Sequence, residues 1–163
     1  MFCRDCGNKL SLKFLEAEGL VPWCENCGKF KFPFFPVAVC MVVERRSDHK
    51  ILLARHNGED EFKLVAGYVK KGESAEKTIA RELKEETRLT AIRWKYLGSR
   101  YHDAKNVLLL GYLVTAEVGE IVLGEELAET RWCTPEESLQ LIRKGTTAEF
   151  FLNNAVRELK KKI

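Results

Sequence analysis

Residues 67–89 read Gly-Tyr-Val-Lys-Lys-Gly-Glu-Ser-Ala-Glu-Lys-Thr-Ile-Ala-Arg-Glu-Leu-Lys-Glu-Glu-Thr-Arg-Leu, and the rest of the chain is organised around them. Gly67 and Gly72 place a loop at the start. Ser74 follows as a helix cap, its hydroxyl accepting a bond from a free backbone N–H. Ala75 to Thr87 contains no helix breaker, so a helix is expected there. On that helix Glu82 and Glu86 stand at i and i+4, with Glu85 one turn beyond Glu82, and the three carboxylates share a side. Ile79, Ala80 and Leu83 make an adjoining apolar stripe that can seat the helix on a core. Charged helix faces are usually solvated, and Arg81 to Glu85 is an ordinary i, i+4 pair. Clustered carboxylates beside a glycine-containing loop also suit a bound cation.

The whole stretch has the pattern Gly, five residues, Glu, seven residues, Arg-Glu, an apolar residue, any residue, Glu-Glu. Gly67, Glu73, Arg81, Glu82, Leu83, Glu85 and Glu86 fill it in register, with Leu89 at the closing apolar position. This resembles the Nudix box. One position departs, since the family usually has glycine two residues after the paired glutamates and this chain has Arg88. A glycine there allows a left-handed helix end, and arginine makes that geometry costlier.

A chain of 163 residues suits one domain with a small appendage, and a composition 45% hydrophobic allows a substantial core. The formal charge of +3 is too mild to carry a nucleic-acid claim. The apolar run Phe34 to Val43 falls short of the roughly 20 residues that span a bilayer. No basic-then-apolar leader opens the chain, since Cys3 comes almost at once, and a cytoplasmic protein is expected.

Four of the six cysteines form two pairs, Cys3-Arg-Asp-Cys6 and Cys24-Glu-Asn-Cys27, each followed by glycine. Two such knuckles facing each other form the four-sulfur site that Zn²⁺ accepts. The alternative is a pair of disulfides in a secreted domain, and nothing here routes the chain to an oxidising compartment. A site closed by four cysteines makes the zinc structural. So small a segment needs the metal to fold. Cys40 and Cys133 sit among apolar neighbours and read as core residues. The expected domains are therefore a zinc ribbon at 1–31 and a second domain at 32–163.

Beyond the ribbon, Val37 to Glu44 reads as a buried strand with Lys50 to Arg55 as its hairpin partner. Glu61 to Ala66 is a short strand leading into the box. Ile92 to Tyr101 and Asn106 to Val118 are long strands joined at residues 102–105, and Thr130 to Cys133 is a last short one. Thr134-Pro-Glu-Glu opens a helix, with Thr at the cap, Pro at the first position and Glu at the third. A final amphipathic helix runs from about Thr147 to Lys161, and Lys160-Lys161-Lys162 gives it a cationic end. Strands interleaved with helices point to an α/β sandwich. The resemblance implies the same, a Nudix-type α/β/α sandwich with a mixed sheet.

By resemblance, Glu82, Glu85 and Glu86 bind Mg²⁺ or Mn²⁺, with the backbone carbonyl of Ala66 as a further ligand. Oxygen donors suit these hard cations, not zinc. Glu73 and Arg81 brace the loop and helix by pairing with each other. The family supplies one more carboxylate from a loop beyond the box, as a metal ligand or general base; of Glu125, Glu126 and Glu129, the choice is Glu126. Tyr68 is a candidate platform for a substrate base, and Arg100 and Lys105 are candidates for phosphates.

A zinc ribbon ahead of such a domain, with Val65-Ala-Gly-Tyr-Val-Lys-Lys-Gly-Glu73 leading the box, is similar to the NADH pyrophosphatases. Their signature Ser-Gln-Pro-Trp-Pro-Phe-Pro after the box is missing, since Ser99-Arg-Tyr-His-Asp-Ala-Lys105 keeps only the serine. The expected activity is metal-dependent hydrolysis of the pyrophosphate linkage in a nucleoside diphosphate joined to another group, such as a dinucleotide or ADP-ribose. The expected partner is that small molecule. The family resemblance also admits a homodimer, while no membrane is expected and no residue pattern supports nucleic acid. The alternative function is a non-catalytic nucleotide sensor or nucleic-acid-binding regulator that uses the ribbon.

Overall fold

A computed structural model describes residues 1–161; Lys162 of the terminal lysine run lies outside them. Two compact units form, Met1–Phe35 and the chain from Pro36 onward.

In the first unit, β1 (Ser11–Leu15), β2 (Gly19–Cys24) and β3 (Lys29–Phe30) make a three-stranded antiparallel sheet in that order. Gly7 and Gly28 take positive φ, and their amides bond back to the carbonyls of Cys3 and Cys24, both at 2.9 Å. Each closes a knuckle that a side chain would strain. Arg4 stacks on Phe34 at 4.2 Å and keeps the segment after β3 on this unit.

The second unit is an α/β/α sandwich. Its strands are β4 (Val37–Arg45), β5 (Ile51–His56), β6 (Val65–Tyr68), β7 (Ala91–His102), β8 (Val107–Ala116) and β9 (Leu127–Cys133). The sheet order is β7-β8-β4-β5-β9, with β6 also paired to β4. It is mixed, since β4 and β8 run parallel and every other named pair is antiparallel. The unbroken apolar sequence of β4 reflects burial on both faces. Val39, Met41 and Val43 pack beneath helix α1 (Ala75–Thr87) with Ile79 and Leu83. Cys40 and Val42 face the layer of α2 (Pro135–Leu141) and α3 (Thr147–Lys160), against Phe151, Leu152 and Ala155. Burial pushes the Cys40 thiol up to about 12 and raises Cys133 as well, so both are core residues.

The helices begin where their caps place them. Ser74 accepts from Lys77 N–H at 3.3 Å, and Thr134 and Glu137 complete a reciprocal capping box. Two strand expectations shift. The strand into the box is β6, which includes Gly67 and Tyr68, while Phe62 and Lys63 make only isolated bridges. Gly67 is therefore a strand residue opposite Val39, not a loop hinge. The last strand starts at Leu127, three residues before the expected Thr130. Among the described residues no helix is long and apolar enough to cross a membrane.

At the end of α1, Arg88 adopts the left-handed conformation, φ 62° and ψ 1°, and its N–H bonds to the carbonyl of Lys84. This is the geometry that disfavours a residue with a Cβ. Its side chain is exposed, so little is lost on removing it. Arg88→Gly should therefore raise stability by about 1 kcal/mol, read as a higher urea midpoint with unchanged slope.

Candidate active site

The carboxylates of α1 are organised by one cation. Arg81 donates twice to Glu73, Nε to Oε1 and Nη2 to Oε2, both at 2.8 Å. The same guanidinium donates to Glu82 at 2.6 Å, to Glu85 at 3.1 Å and to the carbonyl of Tyr68 at 3.0 Å. Arg81 thus ties strand β6, the loop before α1 and two of the three glutamates to a single point. Glu73 is held further by Thr78 Oγ1 at 2.8 Å and by the amide of Lys70. With Arg81 the largest influence, the Glu73 carboxyl falls to about 2 and stays ionised at any working pH.

Glu86 is different. It is buried, and its Oε2 has no hydrogen-bond partner among the described residues. Burial, followed by the like charges of Glu82, Glu126 and Glu85, pushes its carboxyl up to about 7. A solvent-deprived carboxylate oxygen surrounded by anions is a costly arrangement unless a cation offsets it. That oxygen, with the carboxylates of Glu82, Glu85 and Glu126 acting on it, offers the oxygen donors that a hard divalent ion takes.

Gly67 explains how strand and helix come so close. A Cβ there would overlap the side chain of Glu82, so only glycine lets that carboxylate lie against the strand. Ala66 precedes it on β6, opposite Cys40. The other acids enter from the segment between β8 and β9 and from the start of β9. Glu126 is exposed yet close enough for its charge to act on Glu86. Glu129 is occupied elsewhere, paired with Arg55 at 2.8 Å.

The candidate substrate residues separate. Tyr68 is 55% exposed at the end of β6, beside the Arg81 cluster that its own carbonyl joins. Arg100 stacks on Phe150 at 3.9 Å, in the layer of α3, and is not brought to the carboxylates of α1. Lys105 lies exposed on the 3-10 turn Asp103–Lys105, where it adds to the larger effect of Lys63 in lowering the Glu59 carboxyl. The sequence reading missed Thr78 and the Tyr68 carbonyl as partners of Glu73 and Arg81. Thr78 lies within the helix, and its single signal is a polar residue beside the apolar stripe.

Among the described residues, one group of three or more His, Cys, Asp or Glu is placed to hold a metal ion: Cys3, Cys6, Cys24 and Cys27, whose sulfurs all lie within 4.8 Å of one another. All four are free thiols. Two of the contacts, Cys3–Cys27 at 3.8 Å and Cys6–Cys24 at 3.5 Å, match the sulfur spacing of about 3.8 Å that Zn–S bonds of about 2.3 Å give in a tetrahedron. Glu82, Glu85 and Glu86 share a helix side, with the Arg81 guanidinium bridging the first two.

Comparison with known proteins agrees with this architecture. The NAD-capped RNA hydrolase NudC of Vibrio cholerae is 28% identical over 164 residues, covering 97% of this chain and 58% of that protein. The protein of the same name from Haemophilus influenzae is 32% identical over 155 residues, covering 90% and 56%. The chain thus spans a little over half the length of these relatives. Among solved structures, a NUDIX hydrolase from Nitrosomonas europaea superposes with a TM-score of 0.66 at 19% identity, covering 99% of this chain and 91% of that one. The NUDIX domain of Shewanella oneidensis NrtR, solved with ADP ribose, gives 0.66 at 15% identity over 84% and 94%. The NUDIX domain model matches residues 34–159, which take in the whole sheet, the carboxylate helix and all but the last residue of α3, and the chain belongs to that family.

Proposed function

We propose that the chain hydrolyses the pyrophosphate linkage of a nucleoside diphosphate joined to a second moiety, of dinucleotide or ADP-ribose type, in a reaction that needs Mg²⁺ or Mn²⁺. The observation that carries this reading is Glu86, a buried carboxylate with a partnerless oxygen among like charges. The names of the relatives support a dinucleotide-like substrate, because NAD is two nucleosides joined through a diphosphate. The ADP ribose held by the NrtR domain belongs to the same chemical class.

Glu82, Glu85 and Glu86, with the carbonyl of Ala66 and with Glu126, would hold the ion. When bound, the ion would supply polarisation of phosphorus and a lowered pKa for water. Arg81 and Glu73 hold Glu82 and the β6 carbonyl in place, a supporting role that keeps the ligands oriented. Tyr68, exposed at the strand end, offers a ring face to a base. Arg100 is left out of the substrate set because its guanidinium is spent on Phe150. The four N-terminal cysteines would hold one structural Zn²⁺, and residues 1–31 and 32–163 would be the ribbon and the catalytic domain.

The test is a panel of NADH, NAD, ADP-ribose, FAD and nucleoside triphosphates assayed with and without Mg²⁺. Hydrolysis should require the metal and release a nucleoside monophosphate. Glu85→Gln should abolish turnover while leaving the circular-dichroism spectrum intact. Full turnover in that variant, or no hydrolysis of any panel member, would remove the reading.

A further inference from the structure

The helix end that presents Glu86 is bound to the loop that carries Glu126. The amide of Gly124 donates to the carbonyl of Glu86 at 2.8 Å, and that of Val122 to the carbonyl of Thr87 at 3.2 Å. These are the last-turn carbonyls that a helix cannot satisfy itself. The approach is tight, since a Cβ on Gly124 would lie 2.7 Å from the Glu85 carbonyl oxygen and 3.1 Å from the Glu86 Cα. From the opposite side the loop is held by Asn57, in the turn after β5. Its backbone N–H donates to the carbonyl of Glu126 at 3.0 Å and its side-chain Nδ2 to the carbonyl of Glu125 at 2.7 Å. Two adjacent acids are thereby carried toward the end of a helix where Glu82, Glu85 and Glu86 already stand. Charge repulsion opposes that approach, and the bonds from Asn57 and Gly124 are what counter it.

We propose that Asn57 is a positioning residue for the metal site: by clamping the backbone of Glu125 and Glu126 it holds the Glu126 carboxylate beside Glu86. The inference rests on the proposed function, in which Glu126 completes the ligand set. Asn57 acts through the carbonyls of Glu125 and Glu126 and is not itself a member of the proposed ligand set. Its side chain is exposed, so its removal leaves no buried hole and the fold survives.

The experiment measures Mn²⁺ affinity by electron paramagnetic resonance and, separately, turnover as a function of Mg²⁺. The proteins are wild type, Asn57→Ala, Asn57→Asp, Glu126→Gln and the Asn57→Ala/Glu126→Gln double variant. Asn57→Ala should weaken Mn²⁺ binding roughly tenfold, at the lower end of what supporting residues of metal sites contribute. The Mg²⁺ needed for half-maximal rate should rise in parallel while the melting temperature without added Mg²⁺ or Mn²⁺ stays put. Asn57→Asp, which keeps the size but turns an anion toward the Glu125 carbonyl, should lose at least as much. The double variant should be no worse than Glu126→Gln alone, because a clamp with nothing to position has no further effect. Wild-type Mn²⁺ affinity in Asn57→Ala overturns the proposal. So does a loss that adds in full to that of Glu126→Gln, or a Glu126→Gln variant that binds Mn²⁺ normally. Glu86→Gln serves as the control that separates the two levels: if it too binds Mn²⁺ like wild type, the metal-site reading itself has failed and not only the clamp.

Discussion

Replacing Glu86 by Gln should make the metal-free protein more stable at pH 8 and, at the same time, reduce Mg²⁺-dependent turnover by well over about a hundredfold, the upper range for merely supporting residues. The two effects have one origin. Glu86 is buried among Glu82, Glu126 and Glu85, and its carboxyl is raised to about 7 from an ordinary 4.5. A raised carboxylate pKa means that the folded state prefers the protonated form. Between about pH 4.5 and 7 the unfolded chain has already released this proton while the folded one still holds it, so stability falls as pH rises through that window. Above 7 the cost is fully present, and it amounts to at most about 3 kcal/mol. Gln carries no charge to desolvate, so its advantage should be near zero at pH 4.5, grow through the window and level off above pH 7. Urea midpoints at pH 4.5, 6 and 8, with no added Mg²⁺ or Mn²⁺, would show this. An ion bound at the site reverses the sign for wild type alone, since it favours the ionised form. Added Mg²⁺ should therefore raise the wild-type midpoint at pH 8 and leave that of the variant nearly unchanged. Equal midpoints for the two proteins at pH 8 without the ion would show that Glu86 bears no such cost. Wild-type turnover in the variant would remove it from the ligand set.

This opposition of stability and function also marks where the sequence was readable. Helix α1 spans Ala75–Thr87 with Ser74 at its cap, as the local pattern of cap, apolar stripe and absent breakers indicates. The reciprocal box at Thr134 and Glu137 is equally local. The continuous apolar run of β4 announces a strand covered on both sides. What was not legible depends on partners far along the chain. Gly67 looks like loop punctuation, but its pairing with Val39 makes it strand. Arg88 looks ill-suited to a left-handed turn, yet bonds from Gly124 and Val122 to the helix end fix the chain there. Arg100 reads from its charge as a candidate for phosphates. A register shift between Tyr96 and Gly98 breaks the simple alternation of β7, and the residue points to the α3 layer instead. Asn57 reads only as half of an Asn-Gly turn, because the carbonyl its side chain meets belongs to Glu125, 68 residues on.

Removing zinc should unfold the first unit and leave the second standing. Of residues 1–35, only Cys3, Val21 and Cys24 are buried, whereas Phe2, Phe14 and Phe34 are 67%, 74% and 72% exposed. Three short strands with so little apolar burial have no core to hold them. Their sulfurs converge all the same, and that convergence has an electrostatic price. Cys6 is lowered to about 6, chiefly by the backbone at Asn8, while Cys27 is raised to about 12 by its bonds with Cys6 and Cys24. Four thiols this close cannot all ionise unless a cation lies among them, and a structural zinc contributes on the order of 10–16 kcal/mol when it does. Metal analysis of the purified protein should find about one zinc per chain. After treatment with a strong zinc chelator, amides of β1, β2 and β3 should exchange with solvent at once, while those of β4 and β8, inside the second unit's sheet, keep their protection. Cys6→Ser should reproduce the loss without any chelator. A protein that contains no zinc, that shows disulfide-linked masses among Cys3, Cys6, Cys24 and Cys27, or that keeps β1–β3 protected after chelation would mean that something other than a metal holds the four sulfurs together.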